Sequence, residues 1–156
     1  MEDWIQITAQ IKGWLWALLN QLSLLAAKSQ PVAKKMALVM LGGSLGAASR
    51  YGISLLAARL WGARFPWGTL TVNLTGCFLI GLLFALSERV RILTPDVRLL
   101  LITGYLGALT TFSTFSLETV NAGRAGLTLE PIANILVNNI GSLALTVIGL
   151  RLGGLK

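Results

Sequence analysis

Residues 99–117 read Leu-Leu-Leu-Ile-Thr-Gly-Tyr-Leu-Gly-Ala-Leu-Thr-Thr-Phe-Ser-Thr-Phe-Ser-Leu, without a single charge. A helix that crosses a bilayer needs roughly 20 consecutive, mostly apolar residues, so this run predicts a membrane span. Its inner part is unusual. Gly104 to Ser116 packs Gly104, Gly107, Tyr105, five Ser and Thr hydroxyls, Phe112 and Phe115 into one stretch. Gly, Ser and Thr weaken helical hydrogen bonding, which predicts a helix break near Gly107 to Thr111. Unwound backbone inside a membrane is tolerated only where protein buries it or where it lines a cavity. Such a break frees carbonyls that can hold a cation. Phe112 and Phe115, three residues apart, share a helix face.

Three further windows have the same character. Residues 36–58 carry one charge, Arg50, while 68–87 and 131–150 carry none. The connections hold loop signals: Trp61-Gly62-Ala63-Arg64-Phe65-Pro66, the stretch 88–96 with Pro95, and 121–130 with Gly123 and Gly126. Trp61, Phe65 and Trp67 gather at one boundary, as aromatic belts do. The expected fold is therefore an all-α membrane protein with four spans, the third of them broken. Ahead of it, residues 1–33 read as an amphipathic helix at the interface. Trp4, Ile7, Ile11, Trp14, Leu15, Leu18, Leu22 and Leu25 recur at three- and four-residue steps, with Lys12 and several amides between them. Glu2 and Asp3 make its start unlike a signal peptide. Residues 34–156 form the four-span domain.

Composition agrees. Of 156 residues, 54% are hydrophobic and only 12% charged, and mean hydropathy is +0.73. Soluble domains average about 25% charged residues, so a chain this short could not cover a soluble globule. The net charge of +7 does not signal nucleic acid once it is sorted by loop. With four spans, Lys12, Lys28, Lys34, Lys35, Arg89, Arg91, Arg98, Arg151 and Lys156 fall on one side. Arg59, Arg64 and Arg124 fall on the other. The positive-inside rule puts both termini inside. With no His and only Cys77, imidazole catalysis, His metal sites and internal disulfides are all excluded.

The polar residues within the spans are mainly amides and hydroxyls. Asn73 sits deep in the second span, where an unpaired amide is costly. It either bonds a neighbouring helix or lines a wet path. In the fourth, Asn134, Asn138, Ser142 and Thr146 step by four along one face, with Asn139 off the stripe. That stripe is either interhelical glue or the wall of a permeation path. Gly42 and Gly46, one turn apart in the first span, suit close packing of backbones. Arg50, eight residues from the end of that span, is a structural anchor or a source of positive potential. No carboxylate enters residues 36–87 or 97–117, which favours an anion over a cation as the permeant species.

Three stretches together resemble a known family. Gly42-Gly43-Ser44-Leu45-Gly46-Ala47-Ala48-Ser49-Arg50-Tyr51, Gly68-Thr69-Leu70-Thr71-Val72-Asn73-Leu74-Thr75-Gly76-Cys77-Phe78 and Gly104 to Ser116 are similar to the first-, second- and third-span motifs of the fluoride channels (Fluc, or CrcB). The resemblance runs from about Met36 to Leu152 and leaves the amphipathic extension outside it. It implies a fluoride-selective channel in the cell membrane that lowers cytoplasmic fluoride by passive efflux. It further implies an antiparallel dimer with pores along the interface. The partner would be an identical or a homologous subunit. A structural sodium ion would be held by backbone carbonyls of the broken helix, by motif position Gly107 and Thr110. Asn73, Phe112, Phe115, Ser113, Ser142 and Thr146 would line the fluoride path, with Arg50 near its vestibule.

Two rivals remain distinct. A small four-span exporter of cationic drugs needs a membrane-embedded carboxylate, whereas the first span here carries Arg50. A non-transporting scaffold would use the polar stripe only as glue. No acid–base or nucleophile pairing within the spans points to an enzyme.

Overall fold

The computed structural model describes residues 2–89 and 93–155, without the side chains of 2–5, 7–9, 11 and 22–30. It is all helical. The helices run α1 (Glu2–Trp61), α2 (Trp67–Arg89), α3 (Pro95–Arg98), α4 (Gly107–Leu109), α5 (Phe112–Arg124), α6 (Leu129–Leu136) and α7 (Ser142–Leu152). Two π-helical stretches join them, Leu99–Leu106 between α3 and α4 and Val137–Gly141 between α6 and α7. Such wide turns inside helices often mark functional sites.

Helix ends follow local chemistry. Thr94 caps α3, its hydroxyl accepting the Val97 N–H at 3.3 Å, with Pro95 in the first turn. Gly62 after α1 and Gly126 after α5 take φ of +79°, a left-handed conformation that other residues resist. Trp61 and Phe65 both lie against Trp67, with ring centroids 6.1 and 4.8 Å apart.

Contacts divide the chain into two units, residues 1–37 and 38–156. In the first unit, Trp14, Leu15, Trp16, Leu18 and Leu19 are exposed, as are Gln10, Lys12 and Gln21. The side chains of Trp4, Ile7, Ile11, Leu22 and Leu25 of the expected amphipathic face are not described. The side chain of Lys28 and residues Arg91 and Lys156 from the charge sorting also lie outside the described residues.

Among the described residues, three helical stretches are long and apolar enough to cross a membrane: Trp67–Arg89, Pro95–Arg124 and Leu129–Leu152. They contain the second, third and fourth windows and extend each by one to seven residues at either end. The first window is not among them. It is helical throughout within α1, but Gly42, Gly43, Ser44, Gly46, Ser49, Arg50, Gly52 and Ser54 dilute its apolarity. By length and composition it does not qualify alongside the other three.

Packing in the second unit depends on glycine. A Cβ on Gly42 or Gly46 would meet the backbone of Leu100 or Tyr105, and one on Gly104 would meet Val39. Between α2 and α7 the contacts are reciprocal. Gly81 lies against the Thr146 carbonyl, and Gly149 lies against the Phe78 carbonyl. The apolar centre is Val72, Leu106 and Leu109, packed by Ile53, Leu79, Leu83 and Tyr105.

The polarity of this unit is inverted. Leu41, Leu45, Ile140, Leu143 and Leu152 are exposed, while Asn134, Asn138, Thr69 and Thr111 are buried. The largest fully buried side chains are Val72 and Asn134. In water an apolar exterior of this extent would drive association. In lipid it is the expected surface, with polar groups turned inward onto one another.

Candidate functional site

The break in the third crossing organises the site. α4 ends at Leu109, and Thr110 (φ −81°, ψ 153°) and Thr111 (φ −152°, ψ 119°) are extended. α5 restarts at Phe112 because Thr111 caps it, its Oγ1 accepting the Thr114 N–H at 3.3 Å.

Asn73, on α2, faces this break and pairs with Thr111 as one peptide group pairs with another. The Thr111 N–H donates to Asn73 Oδ1 at 2.8 Å, and Asn73 Nδ2 donates to the Thr111 carbonyl at 3.2 Å. Without that partner both backbone groups would be unsatisfied inside a membrane, where water cannot compensate them.

The break also withdraws helical donors from carbonyls of the preceding turn. In a continuous helix the N–H groups of Thr111 and Thr114 would go to the carbonyls of Gly107 and Thr110. Here they go to Asn73 Oδ1 and Thr111 Oγ1. Gly107 and Thr110, the expected cation ligands, are therefore two of the residues at the break, 107–110, whose carbonyls lose their helical donors. Neutral carbonyl oxygens of this kind suit a hard cation such as sodium.

Beside the break lies a groove of about 310 Å³, lined by Asn73, Thr111, Phe112, Phe115, Asn138 and Ser142 among others. The rings of Phe112 and Phe115 stand 5.4 Å apart, inclined at 48°. Phe115 is buried, whereas Phe112 is 74% exposed on the single chain. The Ser142 hydroxyl has no hydrogen-bond partner among the described residues. Thr110 and Cys77 also line the groove.

Ser113, Thr146, Gly107 and Arg50 do not line it. Ser113 Oγ lies 3.3 Å from Thr111 Oγ1 and so belongs to the cap. Thr146 Oγ1 donates toward the Cys77 carbonyl at 3.1 Å and the Ser142 carbonyl at 2.9 Å, tying α7 to α2. Arg50 is half-buried in α1 and pairs with no carboxylate among the described residues. Its neighbour Ser49 lies 3.3 Å from the Tyr105 hydroxyl, which donates to it.

The polar stripe of the fourth crossing divides between its two readings. Asn73 Nδ2 donates to Asn138 Oδ1 at 2.9 Å, and Asn138 Nδ2 to Asn134 Oδ1 at 2.7 Å. Asn134 Nδ2 in turn donates to Thr119 Oγ1 at 2.8 Å. Asn134 and Thr146 act between helices, Ser142 faces the groove, and Asn138 does both. The π turn at Val137–Gly141 keeps the four in register, since its wider winding offsets the drift of a four-residue step.

Sequence reasoning missed Thr111 and Thr119. Thr111 had one signal, its place at the end of the glycine-rich half of the break. Thr119 had none, because only the fold brings it to Asn134. A smaller cavity of about 170 Å³ holds Thr69 and Glu118, whose side chains bond at 3.0 Å. The second Glu118 oxygen is buried without a partner among the described residues.

Residues 37–150 match the family described as CrcB-like protein, Camphor Resistance (CrcB). The fluoride-specific ion channel FluC of Salinibacter ruber is 47% identical over 117 residues, covering 74% of this chain and 86% of that protein. FluC of Legionella pneumophila (strain Paris) is 46% identical over 111 residues, covering 71% and 83%. FluC of Dehalococcoides mccartyi is 43% identical over 118 residues, covering 76% and 91%.

Proposed function

The chain belongs to the CrcB-like family of fluoride-specific ion channels, and from that premise we propose how its own residues carry the ion. It is a membrane-embedded fluoride channel and not an enzyme. Fluoride leaves passively along the groove at the helix break, which lowers its concentration in the cytoplasm. The observation that carries this reading is the groove itself. It joins an amide, a free hydroxyl and two aromatic rings in one apolar-walled cleft without a carboxylate.

Each group has a task. Fluoride is small and strongly hydrated, so a path must replace its water shell with donors of matching strength. Ser142 offers an uncommitted O–H. The Nδ2 of Asn73 divides its two protons between Thr111 and Asn138, and the 3.2 Å bond to Thr111 is the longer of the two. That proton is the one most readily turned to an anion. The edges of Phe112 and Phe115 carry positive quadrupole density and can face fluoride without hydrogen bonding. Ser113 and Thr146 continue the polar track at its two ends. Arg50, the only charge in the 36–58 window, raises the local potential for anions.

The exposure of Phe112 supports a second chain as the missing wall. We assign that role to an identical or homologous subunit in antiparallel orientation, with 36–58 as the remaining crossing of each chain. Gly107 and Thr110 would supply carbonyls to a structural sodium ion. The ion would neutralise oxygen dipoles that the break leaves unpaired. Elemental analysis of desalted protein should find sodium in fixed proportion to chains, and sodium-free folded protein would refute the assignment.

The channel reading is tested in liposomes. Purified protein should release trapped fluoride, followed with a fluoride electrode, and should retain chloride. Phe112→Ile should stop release. Equal leakage by that variant and the unaltered protein would remove the groove from the path and favour the scaffold reading.

A further inference from the structure

The hydrogen bonds around the break form one directed chain. It starts at the Thr111 N–H, passes through the side chains of Asn73, Asn138 and Asn134 to Thr119, and ends where the Thr119 hydroxyl donates to the Phe115 carbonyl at 2.7 Å. Both ends are backbone groups of the first turn of α5 and its cap. The chain thus closes on the same turn that carries Phe112 and Phe115.

Its direction is set by chemistry. A backbone N–H can only donate, so Asn73 must present Oδ1 to Thr111. The Thr111 carbonyl can only accept, which fixes Nδ2 of Asn73 independently. The Asn134 carbonyl accepts from Asn138 Nδ2 at 3.2 Å and fixes that amide in the same sense. Turning Asn73 or Asn138 by half a rotation would set donor against donor on one side and acceptor against acceptor on the other, and turning Asn134 would set its amide N–H against that of Asn138. Asn134 and Asn138 are buried, so neither clash could be relieved by solvent.

We propose that Asn134 and Thr119, which do not line the groove, are positioning residues for fluoride passage. Acting through Asn138, they orient the amide of Asn73 and set how readily it releases a proton donor to the anion. This rests on the reading of Asn73 as the amide that meets fluoride. Bonds in series polarise one another. When fluoride takes one Nδ2 proton of Asn73, the bonds onward to Asn138, Asn134 and Thr119 readjust together.

The chain has six asparagines: 20, 73, 121, 134, 138 and 139. The full protein, labelled with 15N-asparagine and placed in lipid nanodiscs, is titrated with sodium fluoride. The side-chain amide signals of Asn73, Asn138 and Asn134 should move along one binding curve, while those of Asn20 and Asn121 stay. Movement of Asn73 alone would overturn the relay. A protein that moves fluoride across liposomes with no shift at Asn73 would overturn the underlying reading instead. In parallel, Thr119→Val keeps the side-chain shape and removes the hydroxyl. It should shift the Asn73 signal and lower fluoride efflux about fivefold, the effect of one hydrogen bond. Thr119→Ser should restore both. Equal behaviour of the valine and serine variants would also overturn the relay. Should the valine variant not fold, the titration of the unaltered chain still decides.

Discussion

Asn73 serves two needs that pull in different directions. Its amide completes the backbone hydrogen bonding of the break, and the same amide is the one we propose as a donor to the anion. Substitution separates them by chemistry. Asn73→Asp retains an acceptor for the Thr111 N–H but sets carboxylate oxygens against the Thr111 carbonyl and Asn138 Oδ1. Two buried acceptors then lose their donor, each at about 1–3 kcal/mol. Fluoride efflux should fall by more than tenfold, with the protein still membrane-inserted. A variant that keeps its efflux would remove Asn73 from the path. Asn73 was recognisable in the sequence as a buried amide needing a partner, but its partner was not. Thr111 lies 38 residues away, and no spacing rule joins the two.

At the level of elements, the broken helix was the most legible feature, because Gly107 and the Thr110-Thr111 pair weaken helical bonding locally. The stripe at Asn134, Asn138, Ser142 and Thr146 was legible as a face but not as a function, since a face does not say what lies opposite. What lies opposite is α2 at Thr146, α5 at Asn134 and the groove at Ser142. The glycines divide likewise. Gly42→Ala would drive a methyl into the Leu100 carbonyl, whereas the neighbouring Gly43 has open space around it. Gly42→Ala should destabilise the folded protein by about 1–3 kcal/mol. Gly43→Ala should be neutral or slightly stabilising, since alanine is the better helix former. Thermal unfolding in detergent, followed by size-exclusion chromatography, checks the pair. Equal midpoints would mean that α1 does not approach the Leu99–Leu106 stretch so closely.

For the whole molecule, charge and assembly meet. Residue 34 onward carries seven cationic side chains on one side of a four-span topology and three on the other, and the extension adds Lys12 and Lys28 to the larger group. An antiparallel pair made from this chain alone requires insertion in both orientations. Cysteines placed at each terminus of a Cys77→Ser background, labelled from one side of intact cells, should report both. A single orientation in cells expressing only this chain would leave a homologous subunit as the partner. Surface ion pairs contribute little to this choice. Arg64–Glu130 at 2.8 Å ties the loop after α1 to the start of α6, Arg98–Glu88 at 3.2 Å ties the ends of α3 and α2, and exposed pairs are worth only about 0–1 kcal/mol. The 36–58 window was legible in the sequence by its low charge, but its Gly and Ser residues and Arg50 make it less apolar than the other three, so composition marks it less clearly as a crossing.

The inverted polarity of residues 38–156 has a thermal consequence. Water-soluble proteins owe their curved stability profile to apolar surface that meets water on unfolding, which raises heat capacity. Here the apolar exterior is in lipid before and after the helices separate, and the interior holds Asn134, Asn138 and glycine contacts instead. Separation of helices α2 and α7 within a bilayer should therefore show a small change in heat capacity. Its free energy, measured between about 5 and 40 °C, should vary almost linearly, without the low-temperature decline that a fading hydrophobic term imposes on soluble folds. A strongly domed profile would mean that water reaches the groove as the helices part.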